Sequence, residues 1–397
     1  MLKNRRLLVI FIAVGIFNLG IGMIIPILPI YAEDYGATPF LIGLMISALP
    51  AGRFISQGVG GYLADTYDHR IIASMGMAIF TPTMLMMATI PNTFLFILLR
   101  FIEGLAEGVI IPALYTTVAR STTSSKMGTA FGMFTSFATI GLAAGPVFGG
   151  FLVNIGGMRS LFLVTAAMSF IVASVMYILP IQSKVSEENN TTQRRTKGNP
   201  FTVLAQWLYG EQSYQLISPN LFSFVTKFAF ASLQVLLPLY LTNKLGITDN
   251  RLIGIIFTIN FIVYSFGQPV AGWLSDRIQS SLDMLISGML LGVSFMLLPL
   301  APTYLSFIAI FIIEAFAAAW ITVGVRSYIA QNIEQSDTGK AFGVTGSIGD
   351  IGGLSGPLIV GALYQVQPVW SFWIIGLLAL TSVIVSFQAY KINVQKL

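Results

Sequence analysis

The chain of 397 residues has no cysteine, a single histidine (His69), and charge on only 9% of its positions. Without cysteine there are no disulfides, thiolate metal sites or cysteine nucleophiles, and one histidine cannot build a histidine-rich metal centre. No nucleophile elbow, phosphate loop or cluster of metal-ligating residues occurs, and the polar segments are too short to hold a catalytic or signalling domain. An enzyme is therefore not expected, nor is any metal or cofactor. Charge this scarce also excludes an ordinary water-soluble globule, in which about a quarter of residues are charged. What the chain does have is apolar mass, at 55% hydrophobic residues. A bilayer-spanning helix takes about 20 mostly apolar residues, and runs of that length recur between short polar breaks. Twelve are expected between residues 7 and 390, giving an all-α membrane protein.

The basic start, Lys3, Arg5 and Arg6, leads into an apolar run that reaches Pro29 without a small-residue cleavage site, so it reads as a first span and not as a cleaved leader. With the N-terminus inside, fourteen Lys and Arg fall in cytoplasmic loops and three, Arg159, Lys244 and Arg251, fall outside. That asymmetry predicts both termini in the cytoplasm. The net charge of +5 then reflects loop topology, and no nucleic-acid partner is expected. A multi-pass protein of a bacterial cytoplasmic membrane is the expected setting. One long polar interval, 183–215, separates an expected six-helix bundle at 1–182 from a second at 216–397. It reads as a cytoplasmic linker, with an amphipathic stretch at 200–214 suited to the membrane surface.

The two bundles echo one another. GTAFGMFTSFATIGLAAGPVFGG from Gly128 returns as GKAFGVTGSIGDIGGLSGPLIVG from Gly339, a shift of 211 positions. The same shift carries Gly61, Leu63 and Asp65 onto Gly272, Leu274 and Asp276, and Glu103 onto Glu314. Leu28, Pro29 and Tyr31 match Leu237, Pro238 and Tyr240 at a shift of 209. Tandem membrane repeats of this kind imply a solute carrier working between two similar bundles.

Three motifs sharpen that expectation. In the fifth run, Gly141, Gly145, Pro146, Gly149 and Gly150 form G-x-x-x-G-P-x-x-G-G, in which small residues admit close helix approach and proline interrupts the backbone ladder. A looser copy, with Gly356 and Pro357, lies in the eleventh. After the second run, GYLADTYDHR holds Gly61, Asp65 and Arg70, and GWLSDR repeats Asp276 and Arg277 in the second half. In the fourth run stand Arg100, Glu103 and Gly104. Together these resemble the drug and proton antiporters of the major facilitator superfamily, along essentially the whole chain. The resemblance implies twelve spans, export, and a cytoplasmic latch in which the loop aspartate caps a helix end and the basic residues pair across the halves. Thr66, Asp68 and His69 depart from the latch pattern, and Glu103 replaces a glutamine of the fourth-span motif, putting a titratable group where the family has none.

A charge at the bilayer centre costs about 2.5 to 3.5 kcal/mol on insertion scales. Seven side chains incur that cost: Arg53, Arg100, Glu103, Glu107, Lys227, Glu314 and Asp350. Arg100, Glu103 and Glu107 follow i, i+3, i+7 spacing, which puts them on one helix face where they should meet the same water. One carboxylate there would stay ionised beside Arg100 and the other could take up a proton near neutrality. Glu314, among alanines, is the leading expected proton carrier, with Glu103, Glu107 and Asp350 as partners. Arg53, Lys227 and Arg100, with Tyr31 and Tyr240, are the expected substrate contacts; counter-ion roles for the three cations stay open. The expectation is a monomeric, proton-coupled exporter of small amphiphilic compounds in the lipid bilayer. Export of an anionic or zwitterionic metabolite is the alternative.

Overall fold

The computed structural model describes all residues except 1–4, 91, 121–126, 179–212, 276, 279, 334–337 and 395–397. Among the described residues all regular structure is helical. The helices are α1 (Arg5–Ile24), α2 (Ile27–Asp34), α3 (Pro39–Thr66), α4 (His69–Thr89), α5 (Thr93–Arg120) and α6 (Met127–Ile178), then α7 (Ser213–Asn243), α8 (Asn250–Ser275), α9 (Ser280–Leu297), α10 (Tyr304–Asn332), α11 (Thr338–Val366) and α12 (Pro368–Val394). Ten stretches are long and apolar enough to cross a bilayer. Alongside them α5 is as long, with Arg100, Glu103 and Glu107 set into its apolar run. The 52 residues of α6 would reach about 78 Å as one rod, more than twice a hydrocarbon core. Gly157, at φ 72°, breaks it into two segments, a conformation that glycine adopts without the Cβ clash other residues meet.

Local chemistry fixes where helices begin. Thr38 accepts a hydrogen bond from the Leu41 N–H at the head of α3, with Pro39 at the first helical position. Asp68 does the same for the Arg70 N–H at the head of α4. Thr303 and Ser306 form a reciprocal capping box before α10. His69 opens α4 and is buried, instead of standing in a loop.

The helices gather into two compact units. The first comprises residues 1–183 with 231–262 and 354–371; the second comprises 184–230, 263–353 and 372–397. In the first, α1 packs on α6, α3 on α5, and α4 on both α5 and α6. Glycines set the α3–α5 spacing: Gly52 lies against the Phe101 carbonyl and Gly104 against that of Leu49, leaving no room for a side chain at either. In the second unit α9 packs on α10 and, at Gly292, against Leu380 of α12. Of the expected linker, only positions 213–215 are described, as the start of α7; the amphipathic stretch 200–214 lies otherwise outside the described residues.

Candidate functional site

The structure sorts the mid-helix charges into pairs of different character. Arg100 donates from Nη1 to Glu103 Oε2 at 2.8 Å, and their side chains are 7% and 0% exposed. Thr83 lies next to the Glu103 carboxyl, and its hydroxyl donates to the Phe80 carbonyl at 3.0 Å. This pair is closed off from solvent. Removing one partner leaves an uncompensated buried charge, so Arg100→Met alone should cost about 3 to 5 kcal/mol, while Arg100→Met with Glu103→Leu should cost far less. Thermal unfolding in detergent reads the difference.

Glu107, one turn further along α5, leaves that pair and turns to Arg53 of α3, 3.5 Å away, with side chains 19% and 29% exposed. The helical spacing put three charges on one face; the tertiary partner on α3 divides them into a closed pair and an accessible one. In the second unit Lys227 of α7 reaches Asp350 of α11 at 2.8 Å. Glu314 of α10 is buried, among the buried Ala315, Ala317 and Ala319. Tyr31 is packed rather than open, stacked on Phe96 and in contact with Phe162 and Tyr35. Tyr240 of α7 is also buried.

In the loop motif a neighbouring acid takes part. Asp68, one of the residues that breaks the family pattern, both caps α4 and holds Arg70 in a 3.2 Å ion pair. Gly61 and Asp65 lie within α3, the Asp65 side chain and all of Asp276 being outside the described residues. Arg277 stacks its guanidinium over Trp273, 3.8 Å from the ring centroid.

The glycine and proline motif has a clear structural role in the first unit. Gly141, Gly145 and Gly149 bring α6 onto the backbone of α1 at Gly15, Gly22 and Met23. On its other side α6 meets α8: Gly150 abuts the Asn250 carbonyl, and Gly254 abuts the carbonyl of Pro146. A second contact repeats the first between α11 and α3. There Gly361 abuts the Pro39 carbonyl, and Gly43 abuts that of Pro357. Each residue of one contact lies 211 positions from its counterpart in the other. Gly356 and Pro357 are buried in this second copy.

Polar groups fasten the same end. Ser47 donates to the Leu354 carbonyl at 2.7 Å, Asn243 to Glu33 at 2.8 Å, and Asn154 to Asp249 at 2.8 Å. Hydrogen bonds from Arg251 and then Asn154 hold the Asp249 carboxyl well below the usual carboxylate range. The Asp249 contribution is therefore complete above the ordinary aspartate range, about 3.9, and is lost only as pH falls through the lowered value.

Sequence reasoning missed one buried acid. Asp283, in the first turn of α9, accepts hydrogen bonds from Ser275 at 2.8 Å and from the Trp320 indole. It stands at the edge of an apolar run, and Ser275 and Trp320 come from other helices and gave no local signal.

Comparison with known proteins fits this architecture. The model of the Major Facilitator Superfamily matches residues 10–248 and 220–393. The quinolone resistance protein NorA of Staphylococcus aureus (strain COL) is 26% identical over 370 residues, covering 92% of this chain and 91% of NorA. The multi-drug resistance efflux pump PmrA of Streptococcus pneumoniae serotype 4 is 25% identical over 353 residues, 85% of this chain and 84% of its own. Among solved structures, a bacterial homolog of the human lysosomal transporter Spinster, inward-facing and unoccupied, superposes with TM-score 0.79 at 14% identity, over 98% of this chain and 95% of its own. The nucleoside transporter NupG gives 0.75 at 14%, over 97% and 98%. The chain belongs to the Major Facilitator Superfamily: it is a multi-pass membrane transporter, not an enzyme.

Proposed function

We propose that this transporter exports small amphiphilic compounds, drugs among them, in exchange for protons across a bacterial cytoplasmic membrane. The observation that carries the reading is the pair of glycine–proline contacts related by the internal repeat, α6 with α8 and α3 with α11. Each joins a helix of the first half to one of the second, at the end holding the α2–α3, α7–α8 and α11–α12 turns. With twelve spans, α5 counted and α6 counted twice, and both termini cytoplasmic, that end faces outward. Closing and parting it by a tilt of residues 1–182 against 216–397 would expose the charged groups to one side at a time, with 183–215 as tether. NorA and PmrA, whose names are those of drug resistance pumps, support the substrate class and the direction.

Protons enter through Glu314, with Glu103, Glu107 and Asp350 as the other acids of the set. A buried carboxylate favours whichever state neutralises it, and a ligand shifts an equilibrium only by its differential affinity for the two states. Proton binding favours one face, substrate the other. The chain works as a monomer within the bilayer.

The second reading, export of an anionic or zwitterionic metabolite, is favoured by Arg53. At 3.5 Å from Glu107 and 29% exposed, its guanidinium is a permanent cation that a solute anion can reach. Flux in proteoliposomes under an imposed pH gradient, with a cationic dye and an anionic chelator measured side by side, separates the two. Arg53→Glu should spare the dye and abolish anion transport. A wild-type protein that moves neither solute overturns both readings.

A further inference from the structure

We propose that Asp350 receives the protonated amine of a substrate, and that Lys227 is a tethered occupant of this same position which the substrate displaces. The inference rests on the export reading and adds the chemical group recognised.

The Lys227 ammonium donates to Asp350 Oδ1 at 2.8 Å and to the Gly346 carbonyl at 3.1 Å. Two acceptors, one charged and one neutral, thus converge on one N–H-bearing cation. The side chains of Lys227 and Asp350 are 42% and 17% exposed, against 7% and 0% for Arg100 and Glu103. A lysine beside a carboxylate at mid-helix would not stand so open to hydrocarbon, so the exposed head meets water. A lysine carries three donors on a flexible stem, and its head can swing into water at small cost.

The route by which it arrives is built into α11. A Cβ at Gly349 would lie 2.9 and 3.1 Å from Cδ and Cε of Lys227, and one at Gly353 would lie 3.9 Å from its Cβ. The stem therefore runs past two positions without side chains, Gly353 and Gly349, and its head ends at the Gly346 carbonyl. The first half has no copy of the arrangement: the position 211 before Asp350 is Thr139, and the position 209 before Lys227 is Asn18, whose amide bonds Val14 of its own helix. A pair kept on one side of an otherwise duplicated body marks a specialised site rather than a scaffold contact.

The acceptor geometry specifies the ligand as well. A primary, secondary or tertiary ammonium can donate to Asp350 and Gly346 as lysine does. A quaternary ammonium has no N–H and loses both bonds.

The test is calorimetric binding of decylamine and decyltrimethylammonium to the purified protein in detergent. Lys227→Gln should tighten decylamine about fivefold, the weight of a partly exposed ion pair, and should move decyltrimethylammonium by less than twofold. Asp350→Asn should weaken decylamine by at least fivefold, and the double variant should match Asp350→Asn. Gly349→Ala, whose Cβ crowds the Ser223 hydroxyl at 2.5 Å and the lysine stem at 2.9 Å with both charges kept, should tighten decylamine in the same sense and serves if Lys227→Gln does not fold; Ser223→Ala, which should leave decylamine binding unchanged, separates the two contacts. Equal or weaker decylamine binding in Lys227→Gln and in Gly349→Ala overturns the inference, as does Asp350→Asn that binds like the wild type. Proteoliposome flux judges the export reading separately: a wild type that binds decylamine in this pattern but moves no solute sinks that reading alone.

Discussion

Glu314→Gln should reduce proton-driven efflux to the level of empty vesicles while leaving the protein folded and inserted. The side chain is 3% exposed on α10, with the buried Ala315, Ala317 and Ala319 following it along the helix. Glutamine keeps its size and its hydrogen-bonding shape, and loses only the ability to take up and release a proton. A carboxylate in the membrane interior is expensive to maintain and is functional by default, so a neutral isostere should, if anything, raise thermal stability. The measurement is efflux of a cationic dye from proteoliposomes with and without a pH difference, alongside a thermal melt. Loss of gradient dependence with an unchanged or higher Tm fits the assignment. A variant that still responds to the gradient removes Glu314 from the proton path.

The second large effect concerns the duplicated backbone contact. Leucine at Gly43 or Gly254 drives a side chain into the carbonyl of Pro357 or Pro146. Overpacking of this kind costs typically about 1 to 3 kcal/mol. At the upper end it changes the ratio of closed to open outer end by about two orders of magnitude. Transport should fall steeply, because one of two alternating states is no longer well populated. The chain contains no cysteine, so a single Ser47→Cys reporter can be introduced without clearing others. Ser47 is 2% exposed and bonded to the Leu354 carbonyl, and an impermeant maleimide added outside should modify the reporter slowly. Adding Gly43→Leu should speed that labelling at least tenfold. Slow labelling together with full transport would show that these glycines do not hold the end shut.

Much of this was legible beforehand, and the limits have physical causes. The 211-position repeat and the Gly141 to Gly150 motif announced close helix packing, since glycine at four-residue spacing in an apolar run has few other uses. Their partners were not legible: Gly254 and Gly43 sit in unremarkable apolar text, and only the fold shows which carbonyl each one meets. The count of mid-membrane charges was readable. Helical spacing nonetheless grouped Glu107 with Arg100, because periodicity describes one helix and cannot see Arg53 on the next. Lys227 and Asp350 are 123 residues apart, and nothing local links them. Asp68 looked like damage to a loop motif; it proved to be a helix cap, a use that any short acidic residue ahead of a helix can serve.

The twin contacts at Pro146 and Pro357 are main chain resting on main chain. Such a closure has no ions to screen and no rotamers to reorder, so brine, dilute buffer and a shift in acidity should all leave its grip nearly the same. The amide fastenings around it, Asn243 to Glu33 and Asn154 to Asp249, are exposed and charge-assisted, and these salt can screen. On the proposed cycle the barrier against leakage would thus be set by shape, and ionic strength would tune how readily it lets go.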